Sequence, residues 1–89
     1  MLIYVYDERN KMIEGGVDMR QRIRLDTMSD VQKFVDVVSK VNSKVILEDN
    51  EGHRVSATSL LGALYSMEWE CIYCHCEKDI SGIILPWII

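Results

Sequence analysis

From position 20 to 25, arginines at 20, 22 and 24 alternate with Gln21, Ile23 and Leu25. That period of two marks a strand with one wet face. Thr27, Ser29 and Asp30 follow, and their side-chain oxygens can accept the unpaired backbone N–H groups of a starting helix. Val31, Phe34, Val35, Val38 and Val41 then recur at helical spacing, while Gln32, Lys33, Asp36 and Lys40 fall on the other side. The pattern predicts a helix over about 29–41 with a single apolar stripe. Lys44 to Glu48 reads as a second strand, Asp49-Asn50-Glu51-Gly52 as a turn, and His53 to Ala57 as a third strand closing a hairpin. After Thr58 and Ser59, the residues Leu60, Leu61, Leu64 and Met67 form the expected stripe of a short second helix. Trp69 to Glu77 is the last predicted strand. The order β-α-β-β-α-β predicts an α+β fold, an open-faced sandwich with two helices on one face of an antiparallel sheet.

The two ends of the chain fit this pattern less tightly. Leu2 to Tyr6 and Met12-Ile13, separated by Asp7-Glu8-Arg9-Asn10, read as an added hairpin. Alternatively, Glu14-Gly15-Gly16 is what a purine-rich ribosome-binding run would encode, which would make Met19 the natural start. The chain is therefore divided into an extension over 1–18 and a domain over 19–89. At the other end, Gly82 and Pro86 interrupt any helix beyond one or two turns. The run Ile83-Ile84-Leu85-Pro86-Trp87-Ile88-Ile89 is too apolar to lie in water. It either packs back across the helices to complete the core or serves as an adhesive tail.

Composition narrows the classes. Eighty-nine residues, 48% hydrophobic and 27% charged, suit one globular domain with a thin core. A net charge of −4 with the basic residues scattered argues against nucleic acid, whose binding rests on phosphate neutralisation. The apolar run at the end is far shorter than the roughly 20 residues of a membrane span. No basic segment followed by an apolar signal core opens the chain. Cys71, Cys74 and Cys76 are odd in number and crowded together, unlike a secreted disulfide framework. These features lead to the expectation of a cytoplasmic protein.

Ser39-Lys40, Lys44-Val45-Ile46-Leu47-Glu48, the Gly52 turn and Ser56-Ala57-Thr58-Ser59-Leu60-Leu61-Gly62 resemble the corresponding run of HPr. HPr is the small phosphocarrier of the bacterial phosphoenolpyruvate-dependent sugar phosphotransferase system. The resemblance covers about 20–76, with one extra residue near the Asp49–Glu51 turn. It implies a partner among phosphotransferase-system components or transcriptional regulators, no cofactor and no metal. The family carries phosphate on a histidine at the start of the first helix, with an arginine and a proline nearby. Those positions fall here on Thr27, Ser29 and Asp30, and none matches. A threonine ester would be a poor phosphoryl donor without a base, and Asp30 would repel an anion at that helix end. The resemblance thus implies a non-enzymatic variant without histidine phosphotransfer. Ser59 stands where some members are phosphorylated by a kinase, so it is both a cap and a candidate phosphorylation site. By the same analogy, Thr27, Ser29, Ser59, Leu60 and Leu61, on a surface formed by the two helix starts, are the candidate partner contacts. The alternative within the family is an active phosphocarrier whose acceptor lies elsewhere, at His53 or His75.

Cys71, Cys74, His75 and Cys76 suggest a further alternative, a thiol or metal site. The spacings C-x-x-C and C-x-C are ligand-like. On a strand, however, neighbouring side chains leave opposite faces, so these four cannot converge. Ile72, Cys74 and Cys76 are the set expected to face the helices.

Overall fold

The computed structural model describes residues 19–89, together with the backbone of β1 (Val5–Tyr6) and β2 (Met12–Ile13), which pair antiparallel. The rest of the extension, and with it the choice of start, lies outside the described residues. The remaining elements are β3 (Met19–Ile23), α1 (Met28–Ser39), β4 (Val45–Glu48), β5 (Arg54–Ser56), α2 (Leu60–Ser66) and β6 (Ile72–Cys76). They make an α+β domain with a four-stranded open sheet in the order β3-β6-β4-β5, antiparallel at every pairing.

The register decides which side chains meet. Met19, Cys76 and Val45 lie in one row across the sheet, Gln21, Cys74 and Leu47 in the next, and Ile23 with Ile72 in the third. All but Gln21 are buried. They join Val31, Phe34 and Val38 of α1 and Ala63 of α2 in one apolar core. Ile72, Cys74 and Cys76 therefore face the helices, as the small size of the cysteines suggested. The opposite face is polar. Arg20 Nε reaches Glu48 Oε1 at 2.9 Å, Arg54 Nε lies 3.6 Å from Glu48 Oε2, and the Arg20 guanidinium sits 3.9 Å from the Tyr73 ring centroid. Cross-strand pairs of this kind each contribute about 0.2–1 kcal/mol.

The stripe on α1 is buried as its spacing predicts, at Val31, Phe34 and Val38. That on α2 is not. Leu60 and Leu61 are 43% and 80% exposed, and Ala63 and Ser66 are the positions that go fully inside. The cause is the close approach of α2 to β5. A Cβ on Gly62 would lie 3.1 Å from the Ser56 carbonyl oxygen and 3.2 Å from Val55 Cβ. A side chain at 62 would not fit that seam, and the buried Ser66 satisfies its hydroxyl by donating to the Ala63 carbonyl at 2.6 Å. Leucines at 60 and 61 are left on the outside.

The last strand starts three residues later than predicted. Met67, Glu68 and Trp69 donate their N–H groups to Leu64, Tyr65 and Ser66, so they continue the winding of α2 before the chain extends. Beyond β6 there is no third α-helix. Turns lead to a 3₁₀ segment, Leu85–Trp87, with Pro86 at its start. Ile84 and Trp87 are buried, and the Trp87 ring meets Phe34 edge-on at 5.3 Å. Arg24 N–H donates to the Trp87 carbonyl at 2.8 Å, and Ile89 N–H donates to Arg22 at 3.2 Å. The terminal run thus packs back, but against α1 and the edge of β3. It shields an edge that would otherwise expose unpaired backbone groups. Among the described residues, no helix is long and apolar enough to cross a membrane.

Candidate functional site

The two helix starts are built as caps. Thr27 accepts the Asp30 N–H at 3.0 Å, and Asp30 Oδ2 accepts the N–H groups of Asp26 and Thr27, both at 3.2 Å. This capping box satisfies the N–H of Asp30 and, reciprocally, that of Thr27 at the helix start. Thr27 is thus already engaged in capping the helix. Ser29 is exposed in the first turn of α1. At α2, Ser59 Oγ accepts the Gly62 N–H at 3.1 Å, and the residue is exposed.

The two starts do not form one surface. α1 begins just beyond Ile23, whose partner in β6 is Ile72, and runs back to the end marked by Val45. α2 begins beyond Ala57, whose N–H donates to the Val45 carbonyl, and returns toward Ile72. The helices are antiparallel, with Thr27 and Ser29 at one end of the sheet and Ser59, Leu60 and Leu61 at the other. The candidate contact set is therefore split. The apolar part stays together on α2, where Leu61 and Tyr65, four residues apart, share a side, and Tyr65 is 54% exposed.

That side of α2 leads into a feature the sequence pattern did not reveal. A cleft of about 320 Å³ lies between the β4–β5 turn and the C-terminal end of α2, with Asp49, Glu51 and His53 on one wall and Tyr65, Glu68 and Trp69 on the other. Gly52, at φ 93°, supplies the left-handed residue that the turn requires. Asp49 organises the loop. Its Oδ1 accepts the N–H groups of Glu51 and His53, both at 2.9 Å, and its Oδ2 lies 2.7 Å from His53 Nδ1. Loss of solvent pushes the Asp49 carboxyl up, but these hydrogen bonds outweigh it and hold the group below its ordinary value. The His53 ring stacks on Trp69 at 6.1 Å, and Tyr65 meets Trp69 edge-on at 5.9 Å. The Trp69 indole N–H is buried with no acceptor among the described residues, which costs about 1–3 kcal/mol.

The cysteines do not gather. Cys74 and Cys76 lie in the core, and half-buried Cys71 borders the cleft. Burial, reinforced by the neighbouring Cys76, pushes the Cys74 thiol up to about 12, so it stays protonated and unreactive at neutral pH. His75 lies on the outer sheet face, between Arg20 and Ile46, and His53 lies at the turn, so neither begins a helix. Among the described residues, the three-ligand grouping is instead Asp49, Glu51 and His53, whose ligand atoms lie within 4.8 Å of one another. A cation there would compete with the bonds that hold the turn. Comparison with known proteins returns no match, whether to a family model, a curated protein or a solved structure.

Proposed function

We propose that this chain is a non-enzymatic protein-docking module, an HPr-like variant that binds partners through α2 and does not carry phosphate on histidine. The observation that carries the reading is the outward apolar side of α2. Three large apolar residues on a seven-residue helix, Leu60, Leu61 and Tyr65, remain in water. Burying such side chains in a partner yields about 1.5–3 kcal/mol apiece, and a few buried anchors dominate most interfaces. The β-α-β-β-α-β order and the serine cap ahead of α2 support the family reading. The capping box at Thr27 supports the loss of phosphotransfer. Ser59, exposed beside Leu60, is where a kinase would regulate docking, since a phosphate there adds charge at the edge of the apolar surface.

Two measurements test this. Intact mass after incubation with enzyme I and phosphoenolpyruvate should be unchanged, and acid-labile label on His53 or His75 would restore the phosphocarrier. HPr serine kinase with ATP should add one phosphate, absent from Ser59→Ala. For docking, a photo-crosslinking amino acid placed at Leu61 should capture a discrete protein partner. The same group at Gln32, on the exposed side of α1, should not. Equal labelling from both positions would sink the α2 surface.

A further inference from the structure

The cleft beside α2 carries a charge arrangement that the docking surface alone does not require. Asp49, Glu51, Glu68 and Glu70 all line it, and no lysine or arginine does. Asp49 is taken up by the turn and by His53. Glu51, Glu68 and Glu70 are exposed and form no ion pair among the described residues. By contrast, Glu48 on the outer sheet face is matched to two arginines. Three uncompensated carboxylates therefore surround an aromatic corner in which Tyr65 stands at 82° to Trp69. Carboxylates and aromatic faces have one preference in common, a flat or compact organic cation. The ring quadrupole attracts it over the face, and with His53 already stacked on Trp69 that face is offered by the exposed Tyr65. At about 320 Å³ the space is at the lower limit of small-molecule pockets, which begin near 300 Å³, and it suits a single long side chain.

We propose that the cleft receives an arginine side chain on a basic segment of the protein partner that docks on α2, an inference that rests on the docking reading above. Guanidinium is favoured over ammonium because its planar group can stack on the exposed Tyr65 ring and presents five N–H donors to several carboxylates at once. The apolar side of α2 would take the partner's hydrophobic contact, and the cleft would set its register and charge. Electrostatic complementarity of this kind raises association rates and rejects acidic competitors. A metal ion is the weaker fit. It would have to strip Asp49 from the hydrogen bonds that close the turn, and it would make no use of Trp69 and Tyr65.

The test uses the full chain, ¹⁵N-labelled, titrated with tetra-arginine peptide. The Trp69 indole resonance and the amides of Tyr65, Glu68 and Glu70 should shift to saturation, while amides of the outer sheet face stay still. Tetra-lysine should bind at least about threefold more weakly. Glu68→Gln with Glu70→Gln should weaken tetra-arginine about tenfold, and Tyr65→Ala about threefold. These side chains are exposed, so an otherwise unchanged spectrum verifies the fold of each variant. Shifts spread over every carboxylate, equal response to both peptides, or indifference to Tyr65→Ala would each overturn the proposal, because bulk charge would then suffice. Docking on α2 is read separately, by the adduct at position 61. A specific adduct there with a cleft silent to tetra-arginine would sink this inference and leave the docking reading standing.

Discussion

At the scale of single residues, the informative groups are those whose chemistry the fold has already committed. Thr27 and Asp30 are bound to each other's backbone, so Thr27→Ala and Asp30→Ala should each lower stability by about 1 kcal/mol. The two losses should fall short of additive in the double variant, because either one breaks the same box. Urea titration of the four proteins checks this, and full additivity would mean the two caps act independently. Cys74 makes a different kind of statement. Its thiol is held up to about 12 from an ordinary 9.0. Below pH 9 it is protonated in folded and unfolded chains alike, and its contribution is fully present. Above that the unfolded chain releases the proton and the folded one keeps it. Stability should therefore fall as pH rises toward 12, by at most about 1.4 kcal/mol per unit from this group. Cys74→Ala should show a shallower decline over that window. In the native protein at pH 7.5, iodoacetamide should modify Cys71 well before Cys74 or Cys76, as peptide mass mapping would show.

At the scale of elements, α1 and α2 illustrate when a pattern can be read. Val31, Phe34 and Val38 of α1 are buried in the core, so hydrophobic spacing and burial agree. In α2 half of the expected stripe, Leu60 and Leu61, is turned outward while Leu64 and Met67 pack on the core, and the seam against β5 is taken by Gly62. At position 62 residue size, not hydropathy, decides what can face in, and the size that fits depends on a neighbour that one segment cannot show. Gly62→Leu tests the seam directly. On helix propensity alone it should stabilise α2 by about 0.5–1 kcal/mol. We expect instead a loss of about 2 kcal/mol from overpacking against Ser56 and Val55, read as a lower urea midpoint. A gain would mean α2 can lift from β5. The order of the four sheet strands' segments, the turn at 49–52 and the inward set of β6 were legible because each rests on local period or turn chemistry. The cleft was not. Its walls come from 49–53 and from 65–71, and nothing in either stretch announces that a hairpin turn and a helix end will meet. Nor could the pattern say that the two helix starts would lie at opposite ends of the sheet, since that follows from the register alone.

At the scale of the whole molecule, the question is what completes so small a core. Two helices do not cover all of the sheet's inner face, and β3 would be an open edge without a neighbour. The terminal segment answers both needs. Trp87 and Ile84 fill space against Phe34, and backbone bonds from residues 87 and 89 pair with 24 and 22 along β3. It does so at a cost in exposure, since Ile83, Leu85 and Ile89 on the same segment are 49–65% accessible. The segment is therefore sided, and the two sides should respond differently to truncation of a side chain. Trp87→Ala removes a buried aromatic and should cost about 3–5 kcal/mol. A domain of this size has of order 5–10 kcal/mol in total, so the variant should approach its unfolding midpoint in dilute urea. Leu85→Ala, two residues away but facing water, should change stability by less than about 0.5 kcal/mol. Equilibrium urea curves for both proteins decide it, with an unchanged slope for Leu85→Ala indicating that the native core is intact. If Trp87→Ala cost less than about 1 kcal/mol, the segment would be a loosely held tail and the core would close without it. The covered edge of β3 should then be open to exchange, and the amides of Arg24 and Ile89, which bridge edge and segment, would lose hydrogen-exchange protection in step with the segment, not with the global unfolding of the domain.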